Sequence, residues 1–153
     1  MTIQKDSPQS HLRRYVTFRV ANEFLGIPVD QTQEVLPARA ITPIPLANPE
    51  ISGFLNLRGQ IVTTIDLRLR LGLPPRQEGD KSINIIIRDS EDLISLVVDE
   101  VGDVMHMDET LLGPPPATLD ARWREYCNGV FQLEKGLLVV IDTPKVLDIQ
   151  VAS

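Results

Sequence analysis

Gly53-Phe54-Leu55-Asn56-Leu57-Arg58-Gly59-Gln60-Ile61-Val62-Thr63-Thr64-Ile65-Asp66 is the stretch on which the fold turns. Residues 53–57 and 60–65 read as two strand arms. Arg58-Gly59 is the turn between them, in which Gly59 takes positive φ without steric cost. Arg58 therefore sits at or beside a hairpin tip. Asp66 ends the second arm, and its carboxylate is placed to cap a short helix running through Leu71, with Gly72 as the stop.

Working outward, the same grammar recurs. Tyr15 to Val20 and Phe24 to Val29 alternate apolar and polar residues around Ala21-Asn22-Glu23, a hairpin pattern. Val29 to Leu36 carries polar residues between apolar ones and ends at Pro37, which suits a short helical turn or a bent strand. Thr42 to Pro49 holds three prolines, each lacking a backbone donor, so it is an extended loop or sheet edge. Downstream of the polar connector Gly72 to Lys81, the β-branched runs Ser82 to Arg88 and Leu93 to Val98 flank the turn Asp89-Ser90-Glu91-Asp92. Asp103 to Met107 is a shorter apolar stretch. Gly113-Pro114-Pro115-Pro116 stops regular structure, and loop with one helical turn is expected up to Arg124. Tyr126 to Leu133 and Leu137 to Ile141 form a last hairpin around Glu134-Lys135-Gly136. Asp142 and Pro144 then open a terminal helical turn.

The hairpins repeat in order. Val29-Asp30 with Glu34-Val35 aligns with Val98-Asp99 and Asp103-Val104 at an offset of 69 residues. The strand and cap from Gly59 to Ile65-Asp66 align with Gly136 to Ile141-Asp142 at offsets of 77 and 76. On this alignment Gly59 and Gly136 are equivalent turn glycines, and Asp66 and Asp142 equivalent caps. Two ordered blocks point to duplication. Each half then carries about five short strands, which close best as a small barrel with few exposed edges. The expectation is an all-β chain, a polar tail at 1–14 followed by a single domain at 15–150 made of two tandem barrels, interleaved or pseudo-repeated, with the repeat boundary near 72–82.

Composition narrows the functions. The 153 residues include 21 acidic and 15 basic side chains, a net charge of -6, so the overall field repels phosphate backbones. Leu67-Arg68-Leu69-Arg70, with Arg58 and Arg76, is the one local basic patch, and it more often marks a solvated face. An oligonucleotide-binding small barrel is the competing class; aromatic residues make up only 5% of the chain, too few for the stacking platforms such proteins use. The longest strictly apolar run, Leu137 to Ile141, is far short of the roughly 20 residues a bilayer span needs. The N-terminal residues lack a secretory apolar run, and one cysteine, Cys127, excludes an internal disulfide, so a cytoplasmic setting is expected.

Chemistry is poorly provided for. Asp142-Thr143 is followed by Pro144 where an aspartic protease signature needs glycine, and the repeat puts Asp66 and Asp142 in separate barrels, so they cannot converge as acid and base. His106 between Met105 and Met107 lacks a second ligand at hairpin or helical spacing, which argues against metal. Cys127 reads as a small buried hydrophobe. Neither a catalytic residue, a metal site nor a cofactor is expected.

Asn56-Leu57-Arg58-Gly59 followed by Ile65-Asp66-Leu67-Arg68 resembles the CheW family of chemotaxis coupling proteins. The similarity extends from about Tyr15 to Leu147 and includes Gln33-Glu34-Val35, Thr42-Pro43-Ile44-Pro45, Gly53-Phe54-Leu55 and Val97-Val98-Asp99-Glu100-Val101. The resemblance implies two SH3-like barrels with a hydrophobic groove between them. It also implies an adaptor between the cytoplasmic tip of a methyl-accepting receptor and the regulatory domain of a CheA-type histidine kinase, reached at the membrane through partners and without insertion. A single-module coupling protein fits better than the two-domain CheV type, and flagellar, pilus and second-messenger pathways all use such couplers. Arg58 is the foremost partner-binding candidate, either gripping a receptor hairpin or pairing with Glu34; Asn56, Leu57, Glu34, Thr32 and Val98 join it beside the groove. Thr32 stands where the family usually has valine, and Thr63 where it often has proline. Ala121 to Tyr126 matches no family signature.

Overall fold

The computed structural model describes residues 11–44 and 48–149. Most of the expected tail, and the centre of the proline-rich loop at 45–47, lie outside them. Within them, β1 (Leu12–Val20) and β2 (Glu23–Pro28) form the first hairpin, followed by a 3-10 turn at Val29–Gln31 and β3 (Thr32–Pro37). Helical turn and bent strand, alternatives in the sequence, are thus both present in succession. The hairpin β4 (Ile51–Leu57) and β5 (Gln60–Asp66) leads into α1 (Leu67–Arg70). After the connector come β6 (Ile83–Asp89), β7 (Asp92–Val98), β8 (Glu100–Asp108), α2 (Ala121–Glu125), β9 (Cys127–Leu133), β10 (Gly136–Ile141) and α3 (Thr143–Leu147).

Two elements exceed their expected bounds by three residues at one end. β1 begins at Leu12, inside the segment read as tail, because Leu12, Arg13 and Arg14 pair with Asp108, Met107 and His106 of β8. β8 spans 9 residues, and the register shift against β1 between Val16 and Phe18 marks a bulge. A bulge inserts one residue and breaks the two-residue alternation, so a strand crossing one is hard to see in sequence.

The ten strands make two five-stranded sheets, β8-β1-β2-β10-β9 and β3-β6-β7-β5-β4. The class and the two-barrel architecture stand, and the allocation of strands corrects one point, that each half of the chain closes its own barrel. Each sheet takes its first hairpin from the other half of the chain: β1 and β2 pair with β8 and β10, while β6 and β7 pair with β3 and β5. The chain crosses between sheets twice, at Val29–Gln31 and at Asp99. The parallel contacts repeat the exchange: β10 lies along β2 through Val139 and Leu25, and β5 along β7 through Thr63 and Ile94.

Each sheet is closed by chain beyond its edge strand. Thr42, after β3, bridges Phe54 of β4; Gly113, after β8, bridges Val130 of β9. Glycine is required where these crossings touch the sheet. A Cβ on Gly53 (φ 145°) would lie 2.1 Å from the Thr42 carbonyl oxygen, and one on Gly129 (φ 154°) 2.9 Å from that of Gly113. Side chains fill the two interiors separately. Leu36, Leu55, Leu57, Val62 and Ile86 pack inside the first barrel, β3-β6-β7-β5-β4; Tyr15, Phe131, Leu138 and Val140 pack inside the second, where the Tyr15 and Phe131 rings meet edge to face at 5.4 Å.

The largest apolar cluster lies between the barrels. Phe18, Leu25 and Ile27 from one sheet meet Ile65, Ile85, Ile87 and Leu96 from the other, with Trp123 and Val146 from the helices. Full burial of each such side chain is worth about 1.5–3 kcal/mol. Separating the barrels would expose this cluster to water.

Candidate functional site

The site is built from the turn at the head of the first barrel. Arg58 has φ 51° and Gly59 φ 89°, so both central residues of the two-residue loop are left-handed, the geometry whose twist matches the flanking strands. Asn56 is exposed, and its Oδ1 accepts a hydrogen bond from the Gly59 N–H at 2.8 Å. A left-handed arginine carries a steric cost that Gly59 does not, so the turn holds Arg58 at the tip despite its local preference.

Arg58 Nη2 donates to Glu34 Oε1. Glu34 belongs to β3, at the opposite edge of the same sheet from β4. The pair therefore spans the open end of the first barrel, over the interior that Leu36 and Leu57 fill. Glu34 holds the guanidinium pKa above its ordinary value, first through the hydrogen bond and then through charge. The arginine side chain remains 65% exposed, which leaves donors free for a second acceptor.

The other residues singled out in sequence divide. Thr32 is half-buried, donates its hydroxyl to the Val29 carbonyl at 2.8 Å, and lies opposite Ile87 on the face of β3 that also carries Val35. Leu57 and Val98, expected beside the groove, are core residues, being 4% and 0% exposed. Val98 is also at the wrong end of the sheet. It pairs with Ile83 of β6, whereas Thr32 pairs with Ile87, four residues or about 13 Å further along the strand. Ile61 at 59% exposure and Val35 at 42% are the apolar contacts that sequence reasoning missed near the tip. Period-two alternation was the available signal for Ile61, since its neighbour Val62 points inward.

Gly136 is corrected as well. It is the first residue of β10, paired with Leu133, so its equivalent is Gln60 and the turn itself is Glu134-Lys135. Neither turn residue has positive φ, unlike Arg58 and Gly59. At this end of the second barrel an apolar cleft of about 710 Å³ opens over Phe24, Met105, Leu133 and Leu137, rimmed by Arg19 and Lys135.

The carboxylates considered for chemistry are used structurally. Asp66 accepts from the backbone N–H of Arg68 at 3.0 Å and of Leu69 at 3.4 Å; Asp142 accepts from that of Lys145 at 3.3 Å. Cys127 is buried, which pushes its thiol pKa up, and its Sγ lies 3.3 Å from the Gly129 carbonyl oxygen. His106 is exposed on β8, opposite Arg14. Among the described residues no cluster of His, Cys, Asp or Glu could hold a metal ion, and no helix is long and apolar enough to cross a membrane.

The basic patch dissolves into ion pairs. Arg68 Nη2 and Arg76 Nη2 lie 2.6 and 2.8 Å from the Asp99 carboxylate, while Arg70 pairs with Glu50 at 3.0 Å and donates to three carbonyls around α3. The side chains of Arg68, Arg70 and Arg76 are 12–15% exposed. They serve the joint between the barrels.

Two fused barrels carrying a charged hairpin tip beside exposed apolar side chains are the equipment of a binding module. Residues 14–151 match the family model described as the CheW-like domain, and the chain belongs to that family. The chemotaxis protein CheW of Bacillus subtilis is 30% identical over 135 residues, covering 88% of this chain and 86% of that protein. The chemotaxis protein CheW of Klebsiella aerogenes is 27% identical over 146 residues, covering 95% and 88%. The crystal structure of the scaffolding protein TtCheW from Thermoanaerobacter tengcongensis is similar with a TM-score of 0.79, at 29% identity over 90% of this chain and 93% of that one.

Proposed function

We propose that this chain is a non-catalytic chemosensory adaptor of the cytoplasm, holding the cytoplasmic tip of a methyl-accepting chemoreceptor and the regulatory domain of a CheA-type histidine kinase in one assembly. The observation that carries the reading is Arg58, fixed at a hairpin tip by Asn56 and Glu34 and mostly exposed, with exposed Ile61 opposite Asn56 on β5 and exposed Val35 next to Glu34 on β3. A planar donor beside apolar surface is a common anchor of protein interfaces. The action is geometric: with receptor and kinase held against one rigid body, a small receptor displacement biases the kinase between two states.

Reconstitution with receptor-bearing membranes and the kinase tests this. The wild-type chain should make kinase activity receptor-dependent, and Arg58→Ala should weaken capture by about 1–3 kcal/mol with the thermal midpoint unchanged. Capture of neither partner by the wild-type chain would sink the adaptor reading. Equal capture by a folded Arg58→Ala would remove Arg58 from the site and leave the reading standing.

A further inference from the structure

The two crossovers are equivalent by the repeat but are held differently. At the first, Asp30 pairs with Arg13 at 3.3 Å with side chains 71% and 36% exposed, and Gln31 Oε1 accepts from the Thr143 hydroxyl at 2.8 Å. An exposed pair of that kind is screened by water and salt and holds geometry weakly. At the second, Asp99 is the single residue between β7 in one sheet and β8 in the other.

Its N–H donates to the Arg19 carbonyl at 2.9 Å, and its carboxylate accepts from the Ala21 N–H at 2.7 Å, both on the second barrel's β1–β2 hairpin. The same carboxylate accepts from Arg68 Nε and Nη2 at 3.1 and 2.6 Å, on α1 of the first barrel, and from Arg76 Nη2 at 2.8 Å, on the connector. Charge-assisted bonds to a half-buried carboxylate are stronger and more directional than the exposed pair opposite. Three segments from both barrels converge on one side chain, whose counterpart Asp30 gathers one arginine among the described residues.

We infer that Asp99 is the residue that sets the angle between the two barrels, a latch at one crossover that leaves Val29–Gln31 as the compliant one. The shared apolar core keeps the barrels together but is non-directional; the latch chooses among packed arrangements. Because Thr32 and Glu34 follow directly from the compliant crossover, the same latch positions β3 relative to the second barrel.

The test uses the isolated chain, so it does not depend on the adaptor reading. Spin labels at Asp89→Cys in the first barrel and Gln132→Cys in the second, in a Cys127→Ala background, report the inter-barrel distance distribution. Asp99→Asn should broaden that distribution and speed hydrogen exchange of the Ala21 amide by at least about tenfold, the loss of a bond to a charged acceptor. Asp30→Asn, and Ile86→Val inside the first barrel, should leave the distribution unchanged, although Ile86→Val lowers the thermal midpoint. If Asp99→Asn does not fold, Arg76→Gln, which removes one donor, should broaden the distribution in the same direction. A wild-type distribution in the folded variants, or equal broadening by Ile86→Val, would overturn the inference.

Discussion

Arg58 does two jobs that a substitution can separate. Its left-handed backbone costs on the order of 1–2 kcal/mol relative to glycine, while its guanidinium ties β3 to the β4–β5 turn and presents donors to solvent. Arg58→Gly should therefore leave the chain as stable as wild type or slightly more so, while lowering partner capture as Arg58→Ala does; parallel melting and capture measurements check this. Asp99 is the other residue with a measurable signature. Burial by itself raises its pKa, but hydrogen bonds from Arg68, Arg76 and the Ala21 amide hold it below the ordinary aspartate value of 3.8. Its contribution to stability is thus complete above that value and is lost as pH falls through the lower folded pKa. Acid titration of the unfolding midpoint should show this loss in wild type and not in Asp99→Asn. Arg58 was legible in sequence because a turn announces itself locally. Asp99 was not, because its partners Ala21, Arg68 and Arg76 lie 78, 31 and 23 residues away.

At the scale of elements, hairpins and caps were readable since their hydrogen bonds close within a few residues. The turn at Ala21-Asn22 and its equivalent at Ser90-Glu91 even share a left-handed first residue, with φ of 56° and 58°. What misled was the choice of landmark glycine. Gly59 and Gly136 suggested a matched turn, whereas the structurally equivalent pair is Gly53 and Gly129, each lying under a crossing chain. Nothing local distinguishes a glycine needed for close approach from one that merely tolerates a strand. Gly53→Ala should accordingly be severe, since its Cβ would meet backbone rather than a yielding side chain. A loss of several kcal/mol, or no soluble protein, is expected from chemical denaturation. Gly59→Ala, with nothing within 4 Å of its Cβ, should cost only the φ penalty of about 1 kcal/mol. The Arg-Leu stretch of α1 shows the converse case: its pattern suggested a solvated face, but carboxylates and carbonyls distant in sequence enclose those charges.

At the scale of the molecule, the exchange of hairpins makes the halves interdependent. Residues 1–78 contain β1 and β2 without β8 and β10, and residues 81–153 contain β6 and β7 without β3 and β5. Neither half should show cooperative thermal unfolding alone, and mixing them should restore it, as followed by circular dichroism; independent native folding of either half would contradict the exchanged topology. The amino-acid sequence by itself determined the hairpins, the helix caps, the duplication and the family, because each rests on short-range hydrogen bonding, alternation or motif order. Which half each sheet draws its strands from was decided only in the tertiary structure. Tandem and exchanged barrels present the same two-residue alternation and the same turns, so the choice rests on long-range pairing and on the apolar core shared between the barrels. The same holds around Arg58. The tip and its pairing with Glu34 were anticipated from the chain and the family resemblance, but the burial of Leu57 and Val98, and the exposure of Ile61 and Val35, depend on how the sheet closes.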